Sequence, residues 1–213
     1  MSKPTYQEEK NVTPQTLHQV EEIYSTSFPQ HLMVSFSELT SELLIGDSRL
    51  FTARINDLAA AFTLAHPFFD DHTYFMSYMA VDNQQRGKGL GSGLLHFIID
   101  TLRSEGITGL LWDVEAVEAG VTPEQRHEHR RRIEFYRRVG AQTLDSIRDY
   151  RIVHYASTVS QAGKLMWLSL DGQRPAPEGE TLKRMVEEAY RLHYGLDQRD
   201  PLVKYVVAGL GDS

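Results

Sequence analysis

The sequence predicts an α/β fold on a mixed sheet, and three observations carry that prediction. An apolar run, Thr73 to Val81, enters a glycine-rich turn that opens a helix, and a second apolar run, Thr108 to Glu115, follows it. Such a strand–helix–strand crossover gives parallel or near-parallel neighbours. Upstream, two strand-like runs flank Asn56-Asp57, the mark of a two-residue hairpin.

Taken in order, Thr13-Pro14 opens a helix whose Leu17, Val20, Ile23 and Tyr24 form one apolar stripe that stops near Phe28-Pro29. A second helix, Phe36 to Ile45, stops at Gly46. Strands Arg49 to Ile55 and Leu58 to His66 make the hairpin, and Thr73 to Val81 leads into the glycine turn. Helix Ser92 to Glu105 repeats apolar residues at Leu94, Leu95, Ile98, Ile99 and Leu102 and is stopped by Gly106. After strand Thr108 to Glu115, Glu124 to Val139 is helical, with Ile133, Tyr136 and Val139 on one stripe and Gly140 as its stop. Strands near Ala141 to Leu144, Asp149 to Tyr155 and Lys164 to Leu170 follow. Asp171 to Gly179, with Pro175 and Pro177, reads as a linker to helix Thr181 to Tyr194. A terminal strand, Leu202 to Ala208, is expected at a sheet edge, where it could pair across a homodimer.

The glycine turn is the most informative segment. Met79-Ala80-Val81 runs into Arg86-Gly87-Lys88-Gly89-Leu90-Gly91-Ser92-Gly93, placing glycines at 87, 89, 91 and 93. Glycine reaches φ > 0 and lets amides approach an anion, while the following helix offers its unpaired N–H groups and positive dipole end. A dinucleotide G-x-G-x-x-G fails in every register, because Ser92 and Leu94 stand three residues after Gly89 and Gly91. A P-loop fails because Gly87-Lys88 is followed by Gly89.

Arg86-x-x-Gly89-x-Gly91 after Met-Ala-Val resembles the pyrophosphate loop of the GCN5-related N-acetyltransferase (GNAT) superfamily. The order of elements from Arg49 to Leu170 resembles that family too. The resemblance implies a twisted mixed sheet with splayed middle strands flanked by helices. It also implies acetyl-CoA as acyl donor; no metal is expected. Met79, Ala80 and Val81 would pair with pantetheine, and Arg86, Gly87, Lys88, Gly89, Leu90, Gly91 and Ser92 would hold the pyrophosphate. A GNAT domain over residues 1–171 is expected, with the linker, helix and strand of 172–213 packed on it.

A second segment, Arg132 to Ala141, resembles the family helix that carries a tyrosine four residues before a glycine. The resemblance implies that Tyr136 protonates the departing thiolate, since a donor near sulfur lowers the barrier to thioester aminolysis. For the general base, Asp113 and Glu115 share one face of their strand. A bland reading stands beside it: one carboxylate pairs with an arginine and the other is a strand-end charge. Many family members place a glutamate in the strand before the loop, whereas Thr73 to Val81 has no acid. That departure keeps a non-catalytic acyl-CoA sensor open as an alternative, beside an acyltransferase taking a longer acyl donor.

The basic run Arg126 to Arg132, with Arg137 and Arg138, reads as a solvated helix face, or else as a contact for the CoA 3′-phosphate or an anionic acceptor. His127 and His129 lie on different helix faces and make no metal pattern. Phe68, Phe69, Tyr74, Phe75, Tyr78 and Trp112 are core at strand spacing or walls of an acceptor pocket, and the loop His66 to His72 is a candidate rim.

Composition narrows the classes. The 213 residues are 41% hydrophobic and 24% charged, ordinary for a globular chain. A net charge of −7 argues against a nucleic-acid partner. With no cysteine, thiol catalysis and disulfides are excluded, which favours direct attack by the amine. The polar start from Met1 to Asn11 and the lack of a long apolar run predict a cytoplasmic protein without membrane contact. The expected acceptor is a small-molecule or protein amine.

Overall fold

The computed structural model describes residues 3–155, 157 and 159–210. The chain divides into two compact units, one holding the residues to Pro67 together with Tyr74–Ile107, the other holding Phe68–Thr73 and the residues from Thr108 onward.

In the first unit, β1 (Thr5–Glu8), β2 (Arg49–Ile55), β3 (Leu58–Phe68) and β4 (Asp70–Val81) lie side by side in that order. The tip residues Phe68–Thr73 of β3 and β4 belong to the second unit. β1 and β2 are antiparallel with Tyr6 opposite Ala53, and β2 and β3 are antiparallel with Phe51 opposite Thr63. Asn56 and Asp57, at φ 50° and 61°, make the expected hairpin turn, whose left-handed backbone matches the twist of the strands.

Two helices cover one face of this sheet. α1 (Pro14–Ser27) starts where the Thr13 side chain accepts from the Thr16 amide, and α2 (Phe36–Ile45) starts on a Ser35–Glu38 capping box. Their Val20, Ile23, Tyr24, Leu39 and Leu43 pack with Leu50, Phe62, Leu64 and Ala80 of the strands. α3 (Leu90–Ser104) packs on β1 and β2, with Phe97 against Phe51 at 6.4 Å. Burying side chains of this size stabilises by about 1.5–3 kcal/mol each, which dominates local propensity.

The second unit is built on β5 (Gly109–Glu115), α4 (Pro123–Arg137), β6 (Gln142–Thr143), β7 (Arg151–Val153), β8 (Ser160–Ser169), α5 (Gly179–Tyr194) and α6 (Pro201–Ala208). β8 runs antiparallel to β5, with Glu115 opposite Gly163, and β6 and β7 pair in turn along its other edge. Leu110, Leu111, Trp112, Met166, Trp167, Met185, Val186 and Tyr190 are buried. A Cβ at Gly109 would lie 2.1 Å from the fully buried Trp167 ring. Gly109→Ala is therefore expected to destabilise the fold by about 1–3 kcal/mol, measured as a lower denaturant midpoint.

The structure corrects three expectations. Residues 202–208 are helix α6 and not a strand: Asp200 accepts from the Leu202 amide, Pro201 opens the helix, and Val203 and Val206 are buried at helical spacing. The edge that was to pair across a dimer is lost with that strand. His66 to His72 is no loop, because β3 extends to Phe68 and β4 starts at Asp70, leaving Phe69 at φ 66° as the turn. β1 lies in the N-terminal stretch that composition marked only as polar; its alternating half-buried residues, Tyr6 and Glu8, were the available signal. Among the described residues, no helix is long and apolar enough to cross a membrane.

Candidate functional site

The glycine turn is built from β4 outward. Met79 and Val81 are half-buried and Ala80 is buried, and the Asp82 side chain then accepts from the Gln84 amide to start a single 3-10 turn. Gly87 and Gly89 both adopt left-handed backbone, at φ 78° and 79°. Nothing lies within 4 Å of a Cβ built at either, so these glycines answer a backbone demand and not a lack of space.

Lys88 Nζ donates to the Gln84 carbonyl at 3.1 Å and to Gln85 Oε1 at 2.8 Å, and Arg86 Nε donates to the Val81 carbonyl at 3.3 Å. Both cations are thereby held on the turn. Gly89 is the N-cap of α3 and offers no side-chain cap, unlike Thr13, Ser35, Thr122 and Asp200 at other helices. The first intrahelical bond runs from the Gly93 amide to the Gly89 carbonyl, so the helix geometry aims the amides of Leu90, Gly91 and Ser92 out of its end. Two left-handed glycines, a helix N-terminus and two cations fit an anion such as a pyrophosphate. The other two glycines have different roles. Gly91 lies within the helix, and a Cβ at Gly93 would fall 2.0 Å from the Tyr6 hydroxyl, so Gly93 serves packing.

The titratable candidates lie in the second unit. Tyr136 is 7% exposed, with its ring 4.8 Å from that of Trp112 and 5.0 Å from that of Phe135. Burial pushes its hydroxyl up to about 12, opposed by Arg132 and reinforced by Glu115 and Asp113. It therefore stays protonated and able to donate at neutral pH.

The two carboxylates differ. Glu115 is ion-paired to Arg132; burial works against its charge, but Arg132 and His129 hold it below the usual glutamate range. Asp113 lies in no ion pair among the described residues. Burial raises it to about 6, against hydrogen bonds from Tyr194 and Tyr150 and in concert with Glu115. Of the two, Asp113 is the better proton acceptor near neutral pH. The tyrosines that touch it escaped sequence reasoning, since no local spacing links positions 113, 150 and 194.

A stability signature follows. Asp113 binds its proton more tightly folded than unfolded, so its contribution to stability falls as pH rises from about 4 to about 6 and stays low above that. The wild-type protein is expected to lose on the order of 1–3 kcal/mol relative to Asp113→Asn between pH 4 and pH 7, read by chemical denaturation at both.

The basic run is mostly tied down by local partners. Arg126 Nε donates to the Gly120 carbonyl at 2.7 Å, Arg137 pairs with Glu134 at 3.0 Å, and His129 Nδ1 lies 2.9 Å from the Ala116 carbonyl. Among the described residues, no group of three or more His, Asp or Glu side chains is arranged to hold a metal. The aromatic candidates divide: Phe68, Phe75 and Trp112 are core, whereas Tyr78 packs edge-on to Tyr24 at 5.0 Å and to Phe28 at 5.2 Å.

A family model described as the acetyltransferase (GNAT) family matches residues 17–141. Among solved structures, the chain is similar to a GNAT-family protein from Bacteroides thetaiotaomicron, at 20% identity and TM-score 0.69, covering 91% of this chain and 99% of that one. It is also similar to an aminoglycoside 6′-N-acetyltransferase complexed with coenzyme A, at 15% identity and TM-score 0.61, covering 82% and 99%. A Salmonella typhimurium protein solved with acetyl-CoA matches at 18% identity and TM-score 0.58, covering 84% and 99%. No curated protein matches the chain in sequence.

Proposed function

The chain belongs to the acetyltransferase (GNAT) family, and from that premise we propose that it transfers an acyl group, acetyl first of all, from acyl-CoA to a primary amine by direct attack in a ternary complex. The observation that carries the proposal is the turn in which Gly87 and Gly89 take left-handed backbone and open onto the uncapped amides of α3. Bound acetyl-CoA supplies an activated thioester. In this reading the amides of Leu90, Gly91 and Ser92 bind its pyrophosphate, with Arg86 and Lys88 adding positive charge, and the backbone of Met79 to Val81 pairs with pantetheine.

Asp113 takes the proton that the ammonium must lose before it attacks, because it is the carboxylate not committed to a cation. Tyr136 donates its hydroxyl proton to sulfur. The absence of cysteine supports direct attack over a thiol-bound intermediate. The acceptor is an amine, small or on a protein.

The second reading, a silent acyl-CoA sensor, is favoured by one feature: β4 carries acids only at its first two residues, Asp70 and Asp71, and none from Thr73 to Val81. Calorimetric titration with acetyl-CoA, CoA and NAD, followed by thiol release in the presence of an amine panel, separates the two. Micromolar CoA binding with turnover supports the transferase, binding without turnover supports the sensor, and a folded protein that binds no CoA removes both.

A further inference from the structure

Helix α5 ends in a tyrosine pair whose placement the chain fixes locally. Tyr190 and Tyr194 stand one turn apart, so they share a face, and Gly195 ends the helix in left-handed backbone directly after Tyr194. Tyr190 Oη accepts from the Arg151 amide at 3.0 Å and donates to the Arg151 carbonyl at 2.8 Å, which locks the helix to β7. One turn on, Tyr194 Oη donates to Asp113 Oδ2 at 2.9 Å. From the connection between β6 and β7, Tyr150 Oη donates to the same oxygen at 3.1 Å. The rings of Tyr150, Tyr190 and Tyr194 pack in sequence, tilted to one another, at 5.5 and 5.7 Å, and Tyr155 lies 5.8 Å from Tyr194.

A buried carboxylate without a cation normally takes up a proton. The groups that act on Asp113 are Glu115 on its own strand and the hydroxyls of Tyr150 and Tyr194, and Asp113 in turn raises the hydroxyls of Tyr136 and Tyr190. Arg132 is engaged by Glu115. The charged form is therefore favoured by the two hydroxyl donors, and Glu115 opposes them. Both donors lie beyond residue 141, where the family match ends.

We propose that Tyr150 and Tyr194 are positioning residues that aim the Asp113 carboxylate and keep it in its proton-accepting form, which makes the C-terminal helix part of the reaction apparatus. The proposal rests on the reading of Asp113 as the general base. Each hydroxyl favours the charged form, so losing one is expected to raise the midpoint at which Asp113 protonates.

The test is a carboxyl-carbon NMR titration of the full-length protein labelled at aspartate. Tyr194→Phe and Tyr150→Phe are each expected to move the Asp113 midpoint upward by about one pH unit or more. Replacing Tyr194 with 3-fluorotyrosine, a stronger donor of nearly the same size that keeps the fold, is expected to move it downward. An Asp113 midpoint that stays put with fluorotyrosine and with the folded Phe variants overturns the proposal. The acid limb of acetyl transfer from acetyl-CoA then separates the two levels. A limb that follows the midpoint supports both, while a limb that ignores a midpoint that has moved removes Asp113 from the chemistry and leaves the hydroxyl hold standing.

Discussion

Gly89→Val is expected to weaken acetyl-CoA binding at least 100-fold while leaving a folded protein. Position 89 sits at φ 79° and nothing lies within 4 Å of a Cβ there, so the damage falls first on the backbone. A β-branched residue resists left-handed backbone by more than the roughly 1–2 kcal/mol charged to ordinary L-residues. The turn therefore relaxes to negative φ, and because Gly89 is the N-cap of α3, the amides of Leu90 and Gly91 rotate with it. Losing two charge-assisted bonds of about 1.5–3 kcal/mol each accounts for a 100-fold or larger drop. Gly93→Ala is the contrasting control: it pushes on Tyr6, lowering stability by about 1 kcal/mol, and leaves the turn in place. Calorimetry on both variants checks the difference; a folded Gly89→Val protein with wild-type affinity would sink the pyrophosphate assignment.

How much of this was legible in the sequence depends on how local each signal is. Caps, stops and turn residues lie within a few positions of the elements they define, so α2 and the Asn56-Asp57 hairpin come out at the expected residues. The α6 segment misled because Val203, Tyr205, Val206 and Val207 are β-formers whose run suits a strand as well as a helix. Asp200 and Pro201 are the start signal that decides it. The four glycines of the turn looked alike in sequence. Only the structure separates Gly87 and Gly89, which need positive φ, from Gly93, which makes room for a ring on β1.

The candidate site shows the same limit. Asp113 and Glu115 alternate onto one face of β5, and that much is periodicity. Their different fates come from Arg132, Tyr150 and Tyr194, which are 17, 37 and 81 residues from the carboxylates they meet. Contacts of that separation leave no pattern in a single sequence, because helix and strand periods fix which face a residue occupies and not what packs there.

Tyr136→Phe is expected to lower kcat by roughly 100-fold or more without changing acetyl-CoA affinity by more than about twofold. The phenyl ring is retained, so packing against Trp112 and Phe135 survives and only the hydroxyl is removed. CoA is held by the glycine turn in this reading, which is why binding and turnover should separate. The pH dependence adds a second constraint. Tyr136 is pushed up to about 12, so it stays protonated through the working range and contributes no alkaline limb below pH 9. Asp113, at about 6, must be ionised to accept the proton, so the wild-type rate should fall as pH drops through that value. In Tyr136→Phe that acid limb should persist at the same midpoint on a lower plateau, because the proton acceptor is untouched. An unchanged kcat would show that another group protonates sulfur, and a shifted acid limb would show that Tyr136 acts on Asp113 and not on the leaving group.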